Sequence, residues 1–209
     1  MINNKIIRLV GLMFLFLNTA CSDFLDEKSD TKLVVPETLK DNQALLDRIA
    51  NVLGSNSISG QISSDEIYIT DSDYNGISYE ADKRLYTWQP NLVARATGND
   101  WGSCYFRINI CNTVLNNLEQ YEISNTENVK GQALAIRASI YLEAAQIWCV
   151  SFNKNTANTD LGLPLRLNPD VNQKSVRATL QETYQQILED LHTAVSLLPE
   201  KQILTHHWY

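Results

Sequence analysis

Tyr68, Tyr74, Tyr79, Tyr86 and Trp88 lie within one stretch that also carries Asp65, Glu66, Asp71, Asp73, Glu80 and Asp82, with Asn91 just beyond. Aromatic rings stack on the apolar C–H faces of sugar rings, and neighbouring carboxylates and amides bond the sugar hydroxyls. Tyr68, Asp71, Asp73, Tyr74, Tyr79, Trp88 and Asn91 are therefore the candidate ligand-binding residues. The alternative for Tyr86 and Trp88 is packing of this stretch onto neighbouring helices. For Tyr74 and Tyr79, surface and packing roles are both open. Catalytic chemistry has little to draw on. His192 follows Leu191 on an amphipathic pattern and reads as a surface position, and Glu189-Asp190 reads as a solvated face or an internal ion pair. The adjacent His206-His207 cannot form an i, i+4 metal clamp, and no Gly-rich phosphate loop or G-x-S-x-G elbow occurs. No metal or cofactor is expected.

Cys21 offers a different chemistry. Lys5 and Arg8 precede the nine-residue apolar run Leu9–Leu17. As a helix this run spans about 14 Å, against roughly 30 Å for a bilayer, which suits a signal peptide rather than a membrane span. Thr19, Ala20 and Cys21 then resemble a bacterial lipobox, with Asn18 where a Leu is usual. Residues 1–20 are expected to be a lipoprotein signal peptide and Cys21 the lipidated residue. The alternative is an ordinary secretory signal. Residues 21–35 read as a polar tether. Cys104, Cys111 and Cys149 make an odd set, and Cys104 and Cys111 lie about 10 Å apart along a helix, too far for a disulfide. All three are expected to pack as small buried residues.

The elements that must position these residues are mainly helical. The chain has 209 residues, 44% hydrophobic and 20% charged, with 8 Gly and 5 Pro, a globular composition. A net charge of −7 argues against nucleic acid and anionic membrane surfaces as partners. Thr38-Leu-Lys-Asp41 is a capping box that opens a helix carrying Leu39, Leu46, Ile49, Ala50 and Leu53 on one face, stopped by Gly54. Ser55 to Gly98 shows no helical period and is expected to be a long irregular loop, with a short helix possible over Glu80–Tyr86 and a short strand over Gln61–Thr70. Asp100–Tyr121 places Trp101, Cys104, Tyr105, Ile108, Cys111, Leu115 and Leu118 on one inward stripe. Ser124-Asn-Thr-Glu127 should cap a helix to about Val150, with Gly131, Ala135, Ala138, Ser139 and Ala145 as close-packing positions. Thr179-Leu-Gln-Glu182 should cap a helix ended by Pro199, and Leu163–Leu167 could form a short strand. The helices at 100–121 and 124–150 must form an antiparallel hairpin, the unit of tetratricopeptide-like arrays.

The order of motifs resembles the SusD/RagB family of outer-membrane lipoproteins. Cys21-Ser-Asp-Phe-Leu-Asp26 is similar to the family's start, Leu33–Asp47 to its first helix, Ser64-Asp65-Glu66 to its "SDE" and Tyr86-Thr-Trp88 to its "Y-x-W". Trp101, Tyr105, Ile108, Asn112 and Leu115 match the next helix. Gly131-Gln-Ala133, Arg137-Ala138 and Tyr141 match "GxAxxxRAxxY", and Gly162-Leu-Pro-Leu165 matches "GxPL". Arg177-Ala-Thr179, Tyr184, Ile187, Asp190-Leu191, Ala194 and Leu197-Leu-Pro199 match the helix after it. The resemblance implies a mainly α, tetratricopeptide-like fold over 36–209, as a SusD-like N-terminal helical domain. Family members continue further, and Leu204–Tyr209 does not look like that continuation, so the chain is expected to be truncated. The resemblance also implies a non-enzymatic, surface-exposed lipoprotein of the outer membrane. It would bind an oligosaccharide or other nutrient and deliver it to a SusC-like TonB-dependent transporter, with part of the glycan site contributed by the C-terminal part. A helical scaffold that binds only protein, and a non-functional truncated product, are the competing readings.

Overall fold

The computed structural model describes residues 35–51, 58–89 and 99–201. Residues 1–34 with Cys21, the positions Leu53, Gly54 and Asn91, and His206-His207 lie outside the described residues. Among the described residues the helices are α1 (Leu39–Asn51), α2 (Ile58–Ile62), α3 (Asp71–Gly76), α4 (Glu80–Tyr86), α5 (Asp100–Gln120), α6 (Glu127–Trp148) and α7 (Leu180–Leu197). Strands β1 (Leu161–Pro164) and β2 (Arg177–Thr179) form an antiparallel pair that pairs Leu161 with Thr179 and Pro164 with Arg177. The mainly helical fold agrees with the sequence reading.

Two of the three expected capping boxes form. At α1, the Asp41 N–H donates to the Thr38 hydroxyl (3.2 Å) while the Thr38 N–H and hydroxyl donate back to the Asp41 carboxylate (3.2 and 2.6 Å). At α7, the Glu182 N–H donates to the Thr179 hydroxyl (3.1 Å) and the Thr179 N–H donates to the Glu182 carboxylate (2.7 Å). Each box satisfies helix-start donors that would otherwise have no partner. The box expected at Ser124 does not form. Thr126 is the N-cap of α6, in a helical conformation with no side-chain cap bond. The physical reason lies in the preceding turn. α5 ends with Glu122 in the left-handed region (φ 48°), its N–H bonded to the Glu119 carbonyl (3.2 Å) and the Ile123 N–H to the Leu118 carbonyl (3.2 Å). This is a Schellman ending. Asn125, also left-handed (φ 56°), then turns the chain into α6.

Two other expectations change. The stretch after residue 58 is not uniformly irregular. It contains α2, α3 and α4, of five to seven residues each, and Gln61–Thr70 forms no strand. The possible helix over Glu80–Tyr86 is α4, and the strand near Leu163 runs over Leu161–Pro164.

The core has two adjoining parts. Leu46 and Ile49 of α1 meet Ile110, Cys111, Val114 and Leu118 of α5 and Val129 and Ala133 of α6. Further along the hairpin, Cys104 and Ile108 meet Ala138, Tyr141, Ala144 and Ala145 of α6, Leu163 of β1 and Ile187 of α7. Small residues let the backbones approach. A Cβ on Gly131 would lie 2.9 Å from Leu198 Cγ and 3.2 Å from Leu197 Cβ, so the end of α7 presses directly on α6. Ala138 and Ala145 are buried as expected, but Ser139 is exposed. Cys104 and Cys111 are buried thiols, pushed up to about 12 by burial, while Cys149 is only half-buried. Trp101 is also a correction. At 38% exposure it lies at the rim of the α5 stripe rather than within it.

A buried polar network ties these helices together. Arg137 of α6 makes a two-pronged ion pair with Asp190 of α7 (2.8 and 2.7 Å), and its third nitrogen donates to Asn112 of α5 (2.8 Å). Asn112 in turn donates to the Arg166 and Asn168 carbonyls (2.9 and 3.2 Å). The Tyr141 hydroxyl bonds both the carbonyl and the N–H of Arg166 (2.8 and 2.7 Å). Gly162 sits so close to Thr183 Oγ1 and the Thr179 carbonyl that no Cβ fits. Arg177 donates to the Gly162 and Leu161 carbonyls (2.6 and 3.1 Å).

Candidate functional site

The candidate residues that can be placed belong to a thin layer of short helices. Ser59 of α2 donates its N–H to the Asp100 carboxylate at the start of α5 (2.7 Å), and α2 packs against α4. Neither α3 nor α4 buries a residue. Thr70 caps α3 by accepting from the Asp73 N–H (3.2 Å) and donating its hydroxyl to the Asp73 carboxylate (2.7 Å). Asp71 and Asp73 therefore stand exposed on the first turn of α3, where the helix dipole favours negative charge.

Tyr74 is the inward member of this layer. Its ring lies 6.2 Å from that of Tyr86, tilted by 44°, with Lys83 Nζ 5.5 Å from its centroid. Tyr86 fixes the preceding chain by accepting a hydrogen bond from the Ile69 N–H (3.3 Å). Tyr74 and Tyr86 thus meet each other and are half-buried. Three candidates face solvent instead: Tyr68 (85% exposed), Tyr79 (55%) and Trp88 (73%).

Trp88 is the unusual residue. α4 ends in a second Schellman turn, in which the Gln89 N–H bonds the Arg84 carbonyl (2.9 Å) and the Trp88 N–H bonds the Leu85 carbonyl (3.3 Å). This turn needs a left-handed residue, and the position normally takes Gly or Asn. Here it is Trp88, at φ 54°. A bulky residue in this region carries a conformational cost of about 1–3 kcal/mol. That cost is not offset by burial of the indole.

Two depressions among the described residues lie elsewhere. One is a groove of about 540 Å³ on the outer face of α7, where Phe152 stands edge-on to Tyr184 (5.1 Å) beside Leu188 and His192. His192 is exposed, as the sequence suggested. The other is a cleft of about 330 Å³ between α5 and the chain after β1, lined by Trp101, Tyr105, Asn109, Pro164, Arg166, Val171 and Ser175. None of the candidate residues lines either depression. Asn109, Arg166 and Ser175 escaped the sequence reading. The available signal was the spacing of Trp101, Tyr105 and Asn109 at intervals of four, which puts them on one edge of α5.

The family described as SusD-like, starch-binding and associating with the outer membrane matches residues 23–207. No curated protein matches the chain. Among solved structures, a SusD superfamily protein from Bacteroides thetaiotaomicron is similar, with a TM-score of 0.60 and 22% identity over 78% of this chain and 38% of that one. A SusD superfamily protein from Bacteroides vulgatus gives 0.57 and 18% over 80% and 39%. A SusD-like carbohydrate binding protein from the same species gives 0.54 and 23% over 79% and 37%. This chain therefore spans less than two fifths of each of these structures, and at such identities the likeness concerns the fold. With the family matched over nearly all of the sequence, on a helical fold that these structures share, the chain belongs to the SusD-like family.

Proposed function

We propose that this chain is a glycan-binding part of an outer-membrane lipoprotein that passes oligosaccharide to a SusC-like TonB-dependent transporter. The observation that carries the glycan reading is Trp88, held at a left-handed backbone position with its indole in solvent. Strain kept at an exposed aromatic points to a functional constraint on that side chain. Tyr68 and Tyr79 add two exposed rings, and Asp71 and Asp73 supply exposed carboxylates for hydroxyl groups. Asn91 belongs to the same proposal on its sequence position. The family's own description, starch-binding, supports the ligand class. Residues 1–20 act as the signal peptide, Cys21 takes the lipid and residues 21–35 tether the helical domain. Delivery to a transporter follows from the family resemblance alone.

Two experiments test this. Electrophoresis through gels containing amylopectin, xylan or mannan should retard the chain in at least one gel, and Trp88→Ala should reduce the retardation. Unretarded migration in every gel would contradict glycan binding. Radiolabelled palmitate should enter the wild-type chain and not Cys21→Ala, since acyl chains of about 0.8 kcal/mol per buried CH₂ hold a protein at a membrane. Equal labelling of both would refute the anchor.

A further inference from the structure

The cleft between α5 and the chain after β1 has a wall, a floor and a rim of different chemistry. Its wall is aromatic. Trp101 and Tyr105 lie with ring centroids 4.8 Å apart, and Trp148 of α6 meets Trp101 edge-on at 5.0 Å. The Tyr105 hydroxyl donates to the Pro164 carbonyl (2.9 Å), which locks this ring to the floor. Trp101 is braced by two aromatic neighbours, lines the cleft and remains more than one-third exposed.

The opposite wall is equally fixed. Arg166 donates to the Gln173 carbonyl and the Ser175 hydroxyl (2.8 Å each) and also to the Asp170 carbonyl. One side chain thus gathers residues 170–175 beside the cleft. The backbone of Arg166 is itself anchored by Tyr141 and Asn112. A cleft built this way needs little ordering on binding, which favours affinity.

The lining also limits what can bind. Three of the five N–H groups of the Arg166 guanidinium go to the protein, so this side chain serves mainly to hold residues 170–175 in place. What remains is an indole face, Pro164 and Val171 as apolar surface, with the Asn109 amide and the Ser175 hydroxyl as neutral polar groups. This combination matches a neutral ring with one apolar face and a hydroxylated edge. The volume of about 330 Å³ is at the small end of ligand sites.

We infer that this cleft is a second carbohydrate position, taking one neutral pyranose unit stacked on Trp101, apart from the exposed aromatics at 68–88. The inference rests on the glycan reading of the chain, and the test separates the two. The full chain in a sugar-free zwitterionic detergent is titrated with maltotriose, xylotriose and mannotriose, and the indole N–H resonances of Trp101 and Trp88 are followed. Trp101→Phe assigns its signal. At least one trisaccharide should shift the Trp101 signal saturably. Asn109→Ala should weaken that response at least fivefold, and Val171→Phe, which fills the cleft from an exposed position, should abolish it. A Trp101 signal unmoved by all three sugars, or a shift that survives both substitutions, would overturn the second position. Whether Trp88 moves in the same spectra decides the first reading separately.

Discussion

The layer of α3 and α4 and the hairpin of α5 and α6 are built on opposite plans. α3 and α4 bury nothing, while α5 buries nine residues and α6 ten. The hairpin and the elements packed on it spend their motif residues on the scaffold. Arg137, Asp190, Asn112 and Tyr141, which carry much of the family resemblance, are bonded to one another or to backbone around residue 166, and Gly162 packs tightly against Thr179 and Thr183. The short-helix layer does the reverse, holding Tyr79 on a cap, Trp88 on a turn and Tyr68 on the connecting chain, all outward. The most recognisable residues of this chain are thus its scaffold, and its candidate binding residues lie where packing places few demands on sequence.

The largest effect expected from this contrast is on the Arg137–Asp190 pair. Leaving one charge of a buried ion pair without its partner costs about 3–5 kcal/mol. Asp190→Ala should lower the denaturant midpoint accordingly, and the double variant Arg137→Met/Asp190→Leu should recover part of the loss. A double variant worse than the single one would show that the network is needed for more than charge pairing.

Alkaline pH should erode the same region. Burial pushes Cys104 and Cys111 up to about 12, and raises the Tyr105 and Tyr141 hydroxyls above their ordinary value. In the unfolded chain the thiols ionise near pH 9 and the phenols near pH 10. Above those values the unfolded state holds fewer protons than the folded one, so stability falls as pH rises and is fully present below about pH 9. Melting temperatures from pH 7 to 11 should be level at first and then decline. A level profile to pH 11 would show that these groups are solvated in the folded chain.

Smaller losses are expected at single contacts. Gly162→Ala forces a Cβ into Thr183 and the Thr179 backbone, and overpacking of this kind costs about 1–3 kcal/mol. Thr179→Ala removes a cap and should cost about 1 kcal/mol. Its melting point should fall by less than that of Gly162→Ala, and the reverse order would place the strain elsewhere.

The long elements were legible because their apolar periods run over many turns, as in α5, α6 and α7. Thr38 and Thr179 were readable as caps because the bonds that they make are local. Ser124 misled for a local reason as well, since left-handed Glu122 and Asn125 turn the chain before a side-chain cap can act. α3 was invisible and α4 only suggested, because six or seven residues complete barely two turns, too few for a period. The aromatic candidates could be named from composition. Which of them face outward could not, because Tyr74 and Tyr79 differ by contacts with Lys83 and Tyr86 that no spacing reveals. The cleft beside Trp101 depends on Arg166 gathering the loop that follows it, and sequence patterning carries no sign of that.

The division of labour between scaffold and binding layer is tested most directly by pairing glycan titration with thermal melts for Trp88→Ala and Tyr79→Ala. Both should weaken binding by on the order of 1 kcal/mol, about fivefold, because a stacking ring is lost. Both should leave stability within about 0.5 kcal/mol, and Trp88→Gly, unlike Trp88→Ala, should gain slightly from relief of the left-handed backbone. Early melting with undiminished binding in both variants would contradict the account and make these rings part of the scaffold.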